Sequence, residues 1–309
     1  MIFVLGMPRS GTTWLGKLFD SHPDVRYLHE PDIAIRPTNL PVFIPCGDTH
    51  ADEMTLWLDR WLHTNHPRVV TTVPVFAKRG DRFFGVRRAA VRSRRLIYHV
   101  ASSYMGWEWR AAARVRQPWG RPVLKSVNML GRLPAVLAAR PDARVVHLIR
   151  HPAGQCASQL RALSRDSGSV EVSALSASST YLARGLSDAE LAAATPLEKL
   201  AWKWACFNDE AIAVSDHRVL SVRYEDLVDD PEQVLARVFD FCGLSMPKQT
   251  IDFLASIRMA PEKEGGYSVV RDPQRAAWGW RKYLSEPEMA RLQRVVAGTR
   301  SGAMFVNFL

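Results

Sequence analysis

The stretch GMPRSGTT, residues 6–13, separates Gly6 from Gly11 by four residues and follows them with Thr12 and Thr13. This is the frame of a loop that wraps an anionic group in backbone N–H donors at the start of a helix. A triphosphate loop would carry lysine where this chain has Thr12, and would use the next hydroxyl to hold magnesium. Here the cation stands in mid-loop, at Arg9, beside Ser10. The pattern suits a phosphate-like group held by Arg9, Ser10, Gly11, Thr12 and Thr13 without a metal.

A loop of this kind needs a strand to feed it and a helix to receive it. Ile2 to Leu5 is a short apolar run that reads as a buried strand, and Thr12 to Ser21 reads as a helix with Trp14, Leu15, Leu18 and Phe19 on its apolar face. The same rhythm returns at Arg144 to Ile149, ended by Arg150-His-Pro152 and followed by a helix to about Leu163. It returns again at Val219 to Val222, before a helix that Asp230-Pro231 starts and Gly243 ends. Pro122 to Lys125 reads as one more strand. Short apolar strands alternating with helices predict an α/β fold whose parallel sheet is flanked by helices.

The chain has 309 residues and 47% hydrophobic content, enough for one large domain over 1–309. Two regions break the rhythm and read as a helical or irregular substrate cap. They are residues 38–121 and the Ser- and Ala-rich residues 163–195, the latter expected as a mobile lid with short helices. Cys46, Cys156, Cys206 and Cys242 form no C-x-x-C pair, so neither a zinc site nor a disulfide scaffold is expected. With no signal peptide and no spanning run recognised, a cytoplasmic location is the expectation.

The net charge is +10, and residues 78–121 carry twelve Lys and Arg against Asp81 and Glu108, which is also +10. Those cations form either a solvated face or a surface that recognises an acidic acceptor or a membrane. The interleaved Phe83, Phe84, Val91, Leu96 and Ile97 predict a helix with one buried side. No nucleic-acid module accompanies the charge, so nucleic acid is not an expected partner.

GMPRSGTTW resembles the 5′-phosphosulfate loop of the sulfotransferases that use 3′-phosphoadenosine 5′-phosphosulfate (PAPS), where the loop cation is lysine in one branch and arginine in others. LIRHPAGQCASQL resembles that family's 3′-phosphate motif, with Arg150 at a strand end and Ser158 eight residues on. A guanidinium fork and a hydroxyl suit a ribose 3′-phosphate. The resemblance further implies that Trp14 and Tyr224 meet the adenine. It also implies that the segment RDPQRAAWGWRKYL closes over the donor, with Trp280 and Tyr283 packing and either Arg271 or Arg275 reaching the 3′-phosphate.

The same resemblance implies the catalytic groups. The histidine of the cytosolic branch is absent, because VLKSVN has Val127 two residues after Lys125. Glu30 in SHPDVRYLHEPD stands where the Golgi and tyrosylprotein types place a glutamate base, with His29 as the alternative. Lys125 and Arg9 would stabilise charge on the leaving oxygen.

The implied fold is of the P-loop-containing nucleotide-binding type. The implied reaction is in-line transfer of a sulfuryl group from PAPS, without metal, to an acceptor hydroxyl of a glycan or natural product. Two rival readings are a P-loop kinase acting on a small molecule, which would want Lys at position 12 and an acidic magnesium site, and a non-catalytic anion-binding protein.

Overall fold

Ile-Phe-Val-Leu forms strand β1 (Ile2–Leu5), and all four residues are buried. Alternation sends Ile2 and Val4 into one core cluster and Phe3 and Leu5 into another, so β1 is packed on both faces. The computed structural model describes residues 1–47, 50–93, 120–166, 168–259 and 273–305. Strands β2 (Val25–His29), β3 (Arg121–Ser126), β4 (Arg144–Ile149) and β5 (Val219–Arg223) join β1 in one sheet of order β2-β3-β1-β4-β5. Every neighbouring pair is parallel.

The register gathers the carboxyl ends. His29 lies opposite Lys125, Leu5 opposite Ser126, and Ile149 opposite Arg223. Loops leaving all five strands therefore meet along one edge, where open parallel sheets bind their ligands.

On one face of the sheet, helix α1 (Thr12–Asp20) buries Trp14, Leu15, Leu18 and Phe19 as its spacing predicts. The helix Pro231–Phe241 packs into the same cluster through Val234, Leu235, Val238 and Phe239, and the Asp230 carboxylate caps it by accepting from the Gln233 N–H at 3.1 Å. On the other face lie the helices Leu133–Ala139 and Ala51–Leu62, the latter inserting Met54, Leu58 and Trp61. A third cluster joins the helices Pro152–Asp166 and Pro196–Ala213.

Three expectations change. The helix after β4 runs to Asp166, past the expected end near Leu163. The lid region does contain short helices, Ser173–Ala177, Ser179–Ala183 and Asp188–Ala193, but each is anchored in the third cluster, by Leu175, Tyr181 and Leu191. The edge strand β2 lies inside a run read only as a motif.

In the basic segment, residues 84–93 are helical. Val91 is buried as expected, but Phe83 is 74% exposed, because it sits at the turn before the helix and off its buried side. Lys78 is buried against Asp20, Arg79 pairs with Asp24, Arg87 with Asp81, and Arg121 donates to the Cys242 carbonyl. Lys78, Arg87 and Arg121 make these contacts from buried or half-buried positions, while the Arg79 pair lies at the surface. Arg82, Arg88 and Arg92 are exposed, while Arg94, Arg95, Arg110, Arg114, Arg116, Leu96 and Ile97 lie outside the described residues. Among the described residues no helix is long and apolar enough to cross a membrane.

Candidate active site

The loop after β1 is fixed by two left-handed residues. Arg9 has φ 72° and Gly11 has φ 95° at the N-cap of α1. Glycine is required at position 11, since an added Cβ would lie 2.4 Å from the Tyr224 ring. At Gly6 a Cβ would meet the Leu148 carbonyl and the Ser10 hydroxyl, each at 2.6 Å. The cradle exists because these two positions carry no side chain.

The turn after β4 then closes on that loop. Pro152 opens the helix Pro152–Asp166, and the His151 ring accepts from the Ala153 N–H at 3.2 Å, as an N-cap does. The Arg150 carbonyl accepts from the Trp204 indole at 2.9 Å, and the His151 N–H donates to Glu225 Oε1 at 3.1 Å. The turn is thus pinned from two sides. Arg150 donates through one guanidinium nitrogen to the Arg9 carbonyl at 2.9 Å and through another to the Ala276 carbonyl. Gln159 donates to the Pro8 carbonyl at 3.1 Å, and Arg9 Nε donates to Ser158 Oγ at 3.0 Å. Two motifs far apart in sequence form one polar cluster.

The expected residues fall around it as follows. Ser10 and Thr12 are buried in the loop, and Thr13 is half-buried on the first turn of α1. Trp14 lies in the core, edge-on to Tyr224 with ring centroids 5.9 Å apart. Tyr224 also lies 5.1 Å beneath the Arg150 guanidinium. Arg275 is exposed on the helix Pro273–Trp278, next to the Ala276 carbonyl that Arg150 holds; Arg271 lies outside the described residues. Trp280 is buried and stacked on His151 at 4.8 Å, whereas Tyr283 is exposed, with the Arg161 guanidinium 4.0 Å over its ring.

Glu30 and Lys125 meet at the ends of β2 and β3. Glu30 has φ 46°, its N–H donates to the Lys125 carbonyl at 2.8 Å, and the Lys125 ammonium donates to Glu30 Oε1. Burial raises the Glu30 carboxyl pKa, but Lys125 and then His29 more than offset it, and the net value lies below the ordinary one. Glu30 is an anion at neutral pH. Lys125 is almost wholly buried, and burial lowers its pKa against the pull of Glu30. His29 sits with Nε2 3.7 Å from Glu30 Oε2 and Nδ1 2.9 Å from the Tyr27 hydroxyl. Burial, followed by repulsion from Lys125, lowers its pKa to about 4, so its ring is neutral at pH 7.

Motif reading missed several participants. Gln159 latches the loop, and Glu225 braces the Arg150 turn from a buried position where desolvation raises its pKa to about 7. Asp32 is likewise raised by burial, to about 6, and accepts from the Ser126 hydroxyl at 2.8 Å. The spacing of Gln159 from Arg150 would have been the sole clue, and it resembles nothing by itself.

Residues 2–248 match the sequence profile of the sulfotransferase family. The chain belongs to that family. It is similar to Carbohydrate sulfotransferase 5 of Mus musculus, 26% identical over 336 residues that cover 96% of this chain and 78% of that protein. It is also similar to Carbohydrate sulfotransferase 6 of Homo sapiens, 24% identical over 338 residues with the same coverage. A solved structure, sulfotransferase STF9 from Mycobacterium avium, is similar at 18% identity and TM-score 0.47, covering 99% of this chain and 76% of that one.

As a member of that family the chain is a sulfotransferase, and PAPS is the donor that its motifs imply. Its cluster fits the donor on physical grounds. Among the described residues, Ser10 Oγ, Arg150 Nε and Trp14 Nε1 are buried polar atoms without a hydrogen-bond partner. Buried polar groups are seldom left so unless a ligand or water completes them.

Proposed function

We propose that this sulfotransferase moves the sulfuryl group of PAPS to a hydroxyl of a glycan or natural product, with Glu30 as the proton acceptor. The observation that carries the reading is the pairing of Glu30 with Lys125 at the strand-end edge from which the donor loop also starts. PAPS, when bound, supplies an activated sulfuryl group and a leaving phosphate.

Arg9, Ser10, Thr12, Thr13 and the loop N–H groups would hold the 5′-phosphosulfate end, while Arg150 and Ser158 would hold the 3′-phosphate, with Arg275 or Arg271 nearby. Tyr224 and Trp14 form the aromatic wall for the base. Lys125 would be the group to stabilise charge on the leaving oxygen, and giving up its contact with Glu30 would free the carboxylate to take the acceptor's proton. Loss of that ion pair raises the basicity of Glu30 at the moment it is needed.

A glycan acceptor draws support from relatives named as carbohydrate sulfotransferases. The test is a thermal-shift comparison followed by assay. Adenosine 3′,5′-bisphosphate without metal should stabilise the protein more than ATP with magnesium, and PAPS should label a hydroxyl in a panel of glycans. Stabilisation by ATP with magnesium alone would favour the kinase reading. Stabilisation by the bisphosphate with no labelling of any glycan would move the acceptor to another class.

A further inference from the structure

Phe83 and Val86 stand on the outside of the protein, 74% and 69% exposed. The helix that begins just after Phe83, residues 84–93, is anchored by its other side. There Val91 is buried, and Arg87 pairs with Asp81, donates to the Phe76 carbonyl and lies over the Phe84 ring at 5.6 Å. Helical spacing turns Val86, Ala89, Ala90 and Ser93 away from that anchor, and all four are exposed. A Cβ added at Gly85 would meet no atom within 4 Å, so the space beside this face is open.

Arginines frame the apolar strip. Arg82, Arg88 and Arg92 are exposed, and among the described residues none of their guanidiniums has an ion pair or a hydrogen bond. Asp81, the acid nearest to them in sequence, already holds Arg87. An acidic glycan or a free anion would use those charges and leave Phe83 and Val86 in water. The surface of an anionic bilayer uses both, since its phosphates take the guanidiniums while the boundary beneath them takes apolar side chains. Arginine suits that boundary, because its stem lies along apolar material while its head reaches the phosphates.

We propose that the outer face of helix 84–93, with the turn before it, docks on a bilayer surface that carries anionic lipids. Phe83 and Val86 enter the headgroup boundary, and Arg82, Arg88 and Arg92 meet the lipid phosphates. Two apolar side chains and three charges make a weak, reversible attachment. Arg87 and Val91 of this helix share a cleft with Arg26 and Tyr27 of β2, so the docking helix belongs to the side of the sheet where Glu30 also lies. The attachment itself depends on neither the donor loop nor Glu30.

The test floats the whole chain with vesicles of phosphatidylcholine alone and of phosphatidylcholine with about one third phosphatidylserine, in about 0.05 M and about 0.3 M salt. Wild type should partition onto the anionic vesicles roughly ten times or more tighter than onto the neutral ones, and lose most of that margin in the higher salt. Phe83→Ser combined with Val86→Ser should weaken partition roughly tenfold, while Phe83→Leu, which keeps the apolar surface, should stay within about threefold of wild type. Arg82→Gln, Arg88→Gln and Arg92→Gln should each cost roughly fivefold. All five side chains are exposed, so melting temperatures should stay with wild type, and the arginine variants decide the matter if the serine pair does not fold. No vesicle binding, equal binding to both kinds of vesicle, or binding that survives all of these substitutions would overturn the proposal. Retention on immobilised heparin that needs the arginines but not Phe83 and Val86, with no vesicle binding, would overturn it in favour of an acidic glycan.

Discussion

Lys125 donates from β3 to the carboxylate of Glu30, one residue past the end of β2, and the parallel register that sets His29 opposite Lys125 brings them together. The pair is a consequence of strand alignment, since 94 residues lie between the two in sequence. Replacing Glu30 by Gln keeps the shape and an acceptor oxygen for Lys125 while removing the carboxylate proposed as the base. Turnover should fall by roughly two to four orders of magnitude, with adenosine 3′,5′-bisphosphate affinity nearly unchanged by calorimetry. A loss of that size in His29→Ala, with Glu30→Gln near normal, would transfer the role to His29.

Arg150→Ala should weaken binding of adenosine 3′,5′-bisphosphate by roughly 1.5–3 kcal/mol, the worth of a charge-assisted partner, and adenosine 5′-phosphate by much less. The two dissociation constants, measured side by side, give the answer. Equal losses would mean that Arg150 serves the loop, through the Arg9 carbonyl, more than it serves the ligand.

Gly11→Ala should destabilise the fold, because the new Cβ meets the Tyr224 ring at 2.4 Å and φ 95° strains any side-chain-bearing residue. Overpacking of this kind typically costs about 1–3 kcal/mol. Urea unfolding should show a lower midpoint, and nucleotide affinity should drop with it because Tyr224 must move. An unchanged midpoint would show that the ring is free to shift.

Glu225 gives stability a pH dependence of a definite sign. Burial keeps its carboxyl protonated up to about 7, whereas in the unfolded chain it loses its proton near 4.5. Between those values the native state binds more protons than the unfolded state, so this group makes stability fall as pH rises. Over the full window the effect is roughly 3 kcal/mol. Glu225→Gln cannot ionise, so the stability gap between variant and wild type should widen in the variant's favour from pH 5 to pH 7.5. Parallel curves would show that Glu225 titrates as an ordinary carboxylate.

Arg87 and Arg88 are neighbours in sequence with different work. Arg87 is paired with Asp81 and donates to the Phe76 carbonyl, while Arg88 is exposed. Arg87→Gln should cost about 1–3 kcal/mol and Arg88→Gln no more than about 0.5, both by thermal or urea unfolding.

The glycine loop after β1 and the Arg150 turn were legible as structure because their signals are local: a glycine frame, a strand before it and a helix after it survive in the order of residues. The strand limits of β4 and the cap at Asp230 were legible for the same reason. What stayed hidden depends on long-range register and burial. Asp20 and its two lysines look like surface charges in sequence, yet they form a buried cluster. Tyr283 shares an aromatic-rich segment with Trp280, but only Trp280 faces the core, where it stacks on His151. Period-2 alternation does not announce β2, since Val25, Tyr27 and Leu28 are buried while Arg26 and His29 are half-buried, which fits no alternation.

The central place of β1 has a consequence for biosynthesis. Residues 2–5 leave the ribosome more than a hundred residues ahead of their partners, which begin at Arg121 and Arg144. At a synthesis rate of about 5–20 residues per second, the strand waits on the order of ten seconds before either neighbour exists. Until then the nascent chain carries an apolar segment with two unpaired edges, the kind of surface that associates wrongly when it is left uncovered.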